Sequence, residues 1–189
     1  MNRKILALAP LLVFAFVCVF LYQGLFANPR EIQTGRLGQE MPAFNLPDLM
    51  QDNKEWTNES LKGEVYLLNV WGTWCPTCLV ELGYLTKLRE QGVKIIGLYY
   101  VQGYDADFDG PFNMQSLRTE VTDMLERAGD PYQFNILDLH RTLSLDLGVS
   151  GAPETFLVDK NGTILLHHTG DINPRVWRAK FAPIMQELK

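Results

Sequence analysis

The chain has 189 residues, 47% hydrophobic and 21% charged, with a formal net charge of −5. That is the composition of a folded domain long enough to bury a sizeable core, and an acidic balance with no block of Lys or Arg argues against a nucleic-acid partner. Its three cysteines are too few for a disulfide scaffold, so a cysteine pair here is read for chemistry before stapling.

The chain opens with Met1-Asn2-Arg3-Lys4, and no residue from Ile5 to Pro29 is charged. Ile5 to Phe26 matches the roughly 20 residues needed to cross a bilayer core. The basic end before it places the N-terminus in the cytoplasm and everything after Ala27 across the membrane. A cleaved signal peptide has a shorter apolar region, about 7–15 residues, and an Ala-x-Ala-like site, which Leu25-Phe26-Ala27 does not supply. The expectation is an uncleaved anchor over 1–27, a linker over 28–39 with Pro29, Gly35 and Gly38, and one domain over 40–189. Cys18 lies within the apolar run as a small hydrophobe and is assigned no redox role.

Met41 to Leu49 alternates loosely around two prolines, which suits an edge strand or extended lead-in. Trp56 to Gly63 predicts a short helix capped by Thr57 or Asn58 and stopped by Gly63. Val65 to Val70 is apolar on both faces apart from Asn69, the pattern of a central strand covered on both sides. Trp71-Gly72-Thr73-Trp74-Cys75-Pro76-Thr77-Cys78 follows, and then a helical pattern from Leu79 to Glu90 whose stripe is Leu79, Leu82, Leu85 and Leu88. Two thiols separated by two intervening residues at a helix start can close and reopen a small disulfide ring. Unpaired N–H groups and the positive end of the macrodipole favour a thiolate there. Cys75 is therefore expected below the ordinary thiol pKa of about 8.5 as the attacking sulfur, with Cys78 resolving. Pro76 suits the first helical turn, where its missing N–H costs nothing. A zinc pair would need further ligands at recognisable spacing, and Cys18 and the three histidines are not so arranged.

Val93 to Tyr100 is a second buried strand, completing a strand–helix–strand unit that predicts a parallel pair. Gln102 to Asn113 is a loop with Asp105, Asp107 and Asp109, whose spacing lacks the glycine-then-glutamate order of an EF-hand. A helix is predicted over Met114–Ala128 with Gly129 as its stop, then a short strand over 134–139 and a helical turn over 143–149. Phe156 to His168 predicts a hairpin turning at Asn161-Gly162. Asn173-Pro174 opens a closing helix with Val176, Trp177, Phe181, Ile184, Met185 and Leu188 on its apolar face.

A strand–helix–strand unit with Trp-Cys-x-x-Cys, then a proline before a hairpin, then a closing helix, resembles the thioredoxin fold. The implied class is α/β: a thioredoxin-like mixed sheet flanked by helices, preceded by one N-terminal transmembrane helix. The segments Trp74-Cys75-Pro76-Thr77-Cys78, Glu81, Leu145-Asp146-Leu147-Gly148-Val149, Gly151-Ala152-Pro153-Glu154-Thr155-Phe156 and Asn173-Pro174-Arg175-Val176-Trp177 resemble more narrowly the DsbE/CcmG family, membrane-anchored periplasmic thioredoxins of cytochrome c maturation. The resemblance implies a cis peptide before Pro153 and a redox disulfide Cys75–Cys78. It also implies a thiol:disulfide oxidoreductase that keeps the haem-attachment thiols of apocytochrome c reduced, or acts on its maturation factors. Electrons would come from a DsbD-type transmembrane reductant, with no cofactor and no metal. Trp74 would cover the sulfurs, and Pro153, Glu154 and Thr155 would hold the substrate as an added strand.

Asn69 stands where thioredoxin has a buried aspartate, and an amide cannot accept a proton near neutral pH. Glu81, one helical turn after Cys78, and Glu154 are the carboxyls expected to assist Cys78, since burial raises a carboxyl pKa towards general-base range. Three other readings stay open: a disulfide oxidase or isomerase on the same fold, a metal chaperone using the cysteines and His168, and a non-catalytic docking module.

Overall fold

The computed structural model describes residues 3–26, 35–104 and 110–188, with the side chains of the first helix described over 10–23. The elements are α1 (Arg3–Phe26), β1 (Asn45–Pro47), β2 (Glu55–Thr57), a 3-10 turn (Glu59–Leu61), β3 (Tyr66–Trp71), α2 (Pro76–Glu90), β4 (Ile95–Tyr100), α3 (Met114–Ala128), β5 (Asn135–Asp138), α4 (Thr142–Asp146), β6 (Glu154–Val158) and β7 (Ile164–Thr169). The chain closes with α5 (Pro174–Val176), a π-helical segment (Trp177–Phe181) and α6 (Ala182–Glu187). It divides into two units, Met1–Ile32 and Gln33–Lys189.

In the first unit α1 is one helix containing Pro10. Its described side chains include Leu11, Phe14, Phe16, Phe20 and Leu21, all exposed. Among the described residues no helix is long and apolar enough to cross a membrane. The expected anchor is thus found as a helix of 24 residues and not as a demonstrated span.

The second unit is built on a five-stranded mixed sheet in the order β5-β4-β3-β6-β7. β3 pairs parallel with β4, and β4 with β5, while β3–β6 and β6–β7 are antiparallel. Every residue of β3, β4, β5 and β6 is buried, as strands covered on both faces should be. Alternate residues feed two cores. On one face Leu67, Trp71, Ile95, Tyr99, Leu137 and Leu157 pack with α2, α3 and the C-terminal helices. On the other Tyr66, Leu68, Val70, Ile96, Leu98 and Phe156 pack with Leu143 and Leu147 around α4. Burying a side chain such as Leu67 or Phe156 contributes about 1.5–3 kcal/mol each.

Local chemistry sets the boundaries. Asn113 accepts Ser116 N–H to cap α3, and Asn173 accepts from Arg175 and Val176 to cap α5. The helix predicted over 56–63 is the 3-10 turn, where Thr57 Oγ1 accepts Ser60 N–H at 3.1 Å. The buried stripe of α2 is Cys78, Leu82, Leu85 and Leu88, so Leu79 falls outside it. Cys78 takes the inward position at the first turn, and Leu79, about 100° round the helix, faces out. The closing helix is interrupted because Pro183 has no N–H for the carbonyl one turn back, and the preceding turn widens to π. The acidic residues Asp105, Asp107 and Asp109 lie outside the described residues.

Candidate active site

Cys75 caps α2 from an extended conformation, and Pro76 takes the first helical turn. Cys75 and Cys78 form a disulfide with Cα atoms 5.3 Å apart. Cys75 Sγ accepts the Cys78 N–H at 3.1 Å, so a helix-terminal donor already points at the sulfur that carries charge once the ring is opened. Cys75 is nearly buried and Cys78 fully so. Beside them Leu79 and Val80 are 43% and 76% exposed, giving the first turn of α2 an apolar rim. Trp74, half-buried, donates its indole N–H to the Tyr100 carbonyl at 2.9 Å and lies against the Tyr100 ring at 4.8 Å. A Cβ at Gly72 would collide with that indole, so glycine allows the ring to lie over the backbone.

Glu81 is buried on α2, and what holds it is Asn69 on β3. Asn69 Nδ2 donates to Glu81 Oε1 and to Thr155 Oγ1, both at 3.0 Å, while Ile172 N–H donates to Glu81 Oε2 at 2.8 Å. The amide orientation is set from behind by Tyr132, whose hydroxyl donates to Asn69 Oδ1 at 2.6 Å. Burial pushes the Tyr132 phenol well above its ordinary pKa and keeps it a donor. Tyr132 is in turn stacked on Trp71 at 4.8 Å, and Trp71 donates to Asn135 Oδ1 at 2.9 Å. Burial also pushes the Glu81 carboxyl up to about 7, against the lowering effect of the Ile172 and Asn69 donors. Of the two carboxyls named from sequence, it alone titrates near neutrality.

Glu154 is also buried and behaves oppositely. One oxygen accepts from Ser150 N, Ser150 Oγ and Gly151 N at 2.9, 2.6 and 3.0 Å, and the other meets His167 Nε2 at 2.7 Å. Burial alone would raise its pKa, but His167 and Ser150 outweigh burial and hold it below the ordinary carboxylate value. A carboxylate so held is a poor proton acceptor. Its evident work is to tie the Ser150–Gly151 backbone to the sheet ahead of Pro153. Sequence reasoning weighed Glu154 as a second base and missed Ser150 and His167. The signal available was a histidine in the strand following the Asn-Gly turn.

The peptide Ala152–Pro153 is cis, as the resemblance implied. Glu154 and Thr155, the residues expected to receive the substrate, lie inside the sheet. Both are 0% exposed, and their backbones pair on two sides, with β3 and with β7. The Thr155 hydroxyl accepts from Asn69, and the Pro153 carbonyl accepts Gly170 N–H at 2.9 Å. The accessible backbone lies just upstream, at half-buried Gly151 and Ala152. His168, weighed as a copper ligand, sits 3.3 Å from the Asp171 carbonyl. Among the described residues no three His, Cys, Asp or Glu side chains are grouped to hold a metal ion.

The Redoxin family matches residues 36–182. The chain is 42% identical to the thiol:disulfide interchange protein DsbE of Pseudomonas aeruginosa over 100% of its own length and 96% of the relative's. It is 36% identical to the DsbE of Escherichia coli K12, covering 99% of this chain and 96% of that one. In fold it resembles a thio-disulfide isomerase of Thermus thermophilus, with a TM-score of 0.60 at 19% identity over 81% of this chain and 98% of the other. With matches along its whole length and a Cys75–Cys78 disulfide at the head of α2 in a thioredoxin-like sheet, the chain belongs to the DsbE family of thiol:disulfide interchange proteins within the Redoxin family, and it is a thiol:disulfide oxidoreductase.

Proposed function

We propose that the protein reduces the haem-binding cysteine pairs of apocytochrome c, with α1 anchored in the inner membrane and residues 40–189 in the periplasm. The observation that carries this reading is the pairing of a helix-capping sulfur with a carboxyl held near neutral pKa, Glu81, at i+3 from the buried Cys78. A reductant needs its second thiol deprotonated on demand, and a carboxyl titrating near the working pH is suited to take that proton. In the cycle, the Cys75 thiolate attacks the substrate disulfide, forming a mixed disulfide and releasing one substrate thiolate. The Cys78 thiol gives its proton to Glu81, attacks Cys75 Sγ and releases the second substrate thiolate. The Cys75–Cys78 disulfide that remains has passed two electrons to the substrate. A DsbD-type transmembrane reductant restores the dithiol. Trp74 and the Gly151–Ala152 backbone border the substrate, with Pro153 holding that loop in place. The exposed apolar side chains of α1 support its burial in lipid.

The test is to mix the reduced protein with an apocytochrome peptide carrying an oxidised Cys-x-x-Cys-His segment, and to measure the Cys75–Cys78 potential against glutathione. The expected result is stoichiometric appearance of peptide thiols and a potential nearer to that of thioredoxin, about −270 mV, than to that of DsbA, about −120 mV. A DsbA-like potential with no peptide reduction would replace this reading with the oxidase.

A further inference from the structure

The turn between β5 and α4 presents a cation that no described residue neutralises. Asp138 at the end of β5 accepts from Thr142 Oγ1 at 3.2 Å and from Ser144 N and Oγ at 2.7 Å, which fixes the turn across its length. Inside it Arg141 has a φ of 59°, a left-handed conformation that glycine takes freely and a residue with a Cβ resists. The Arg141 guanidinium lies over the face of Tyr100, with Cζ 4.5 Å from the ring centroid. Tyr100 lies against Trp74 at 4.8 Å, and Trp74 immediately precedes Cys75. Guanidinium, phenol and indole thus touch in series, the phenol and indole planes tilted by 57°, and the last ring belongs to the residue before Cys75.

Arg89, Arg118 and Arg127 each face a carboxylate within the chain. Arg141 makes no ion pair with any described residue, and its Nε is buried without a hydrogen-bond partner. A planar fork of donors, partly desolvated and held in place by an aromatic face, is matched by a carboxylate. The buried carboxylates of Asp138 and Glu154 are already occupied, the first by Thr142 and Ser144 and the second by His167, Ser150 and Gly151.

We propose that Arg141 is a docking cation for an acidic side chain on the disulfide-bearing polypeptide, close in sequence to the cysteine that Cys75 attacks. This rests on the exchange reading above, with Trp74 bordering the substrate. The chain carries a net charge of −5, so an acidic segment is disfavoured at long range and accepted only where its carboxylate meets Arg141. Such a contact sets register and specificity more than overall affinity.

The experiment uses two disulfide peptides that differ only in Glu or Gln beside the attacked cysteine, and reads the second-order rate of their reduction by the reduced full chain. The expected result is a Glu-over-Gln preference of about three- to tenfold at low salt, the size of a partly exposed charge-assisted contact, shrinking as salt is raised. Arg141→Gly, which suits the left-handed backbone, is expected to bring the ratio to about 1, and Arg141→Lys, a charge without the fork, to an intermediate value. A ratio of about 1 in the unaltered chain, or an unchanged ratio in Arg141→Gly, overturns the docking role and leaves the exchange chemistry standing. Reduction of neither peptide by the unaltered chain overturns both.

Discussion

Glu81 and Glu154 are two carboxyls with almost no exposed surface and opposite character. Glu81, on α2, receives two N–H donors from neutral groups, and its pKa rises to about 7. Glu154, on β6, receives three donors on one oxygen and a histidine nitrogen on the other, and its pKa falls. Desolvation is the largest influence on both and acts on the more deeply set Glu81 beyond what its donors offset, whereas His167 and Ser150 together outweigh it at Glu154. The two therefore differ in what they can do: one carboxyl can gain or lose a proton near neutral pH, and the other is held as an anion that ties down the loop before Pro153.

The most severe way to break the comparison is to remove the chemistry it serves. Cys75→Ser is expected to abolish turnover, and Cys78→Ser to accumulate mixed disulfides visible on non-reducing gels. Equal loss in both without trapped adducts would reverse the assigned order of attack. Next in size, Glu154→Ala strands the donors of His167, Ser150 and Gly151, at a cost of about 3–5 kcal/mol by analogy with other broken buried pairs, read from urea unfolding at pH 7. A loss below about 1 kcal/mol would show that the loop is held by something else.

Proton linkage sharpens the contrast. Because the folded-state pKa of Glu81 lies above its ordinary 4.5, the native state holds a proton the unfolded chain releases. Its contribution to stability is greatest below pH 4.5 and is lost as pH rises to about 7, a span on the order of 3 kcal/mol. Glu154 has the opposite sign: its contribution is present above its ordinary pKa of 4.5 and fades as pH falls. Glu81→Gln should flatten the loss of stability towards neutral pH, raise the apparent pKa of Cys78 and slow resolution of the mixed disulfide by about 100-fold. An unaltered thiol titration would take Glu81 out of the proton pathway. The smallest effect is expected for Tyr132→Phe, which leaves Asn69 Oδ1 without its donor at a cost of about 1–3 kcal/mol. If Tyr132 orients the amide, the same variant also moves the Glu81-dependent step in the pH profile, whereas a purely packing role would change stability alone.

Much of the frame was legible from the chain. The apolar runs of β3 and β4, the proline and cysteine that start α2, the Asn161-Gly162 turn and the Asn173-Pro174 cap are all short-range signals, and the elements stand where these residues put them. The redox pair was legible for the same reason, since two thiols three residues apart on one helix start need nothing from elsewhere. Leu79 shows the limit even of a local pattern: leucines at every third position suggested a stripe, but Cys78 takes the inward place.

The roles of the two glutamates could not be read locally, because each was only a carboxyl near a motif. Glu81 is held by an asparagine 12 residues upstream and a backbone N–H 91 residues downstream, and the amide between them is oriented by a tyrosine 63 residues away from it. Glu154 depends on a histidine one strand further on, across the hairpin. Propensity, caps and periodicity act over a few residues and so are carried by the sequence itself. The protonation of a buried group depends on which donors the sheet brings against it, and only the assembled tertiary structure decides that.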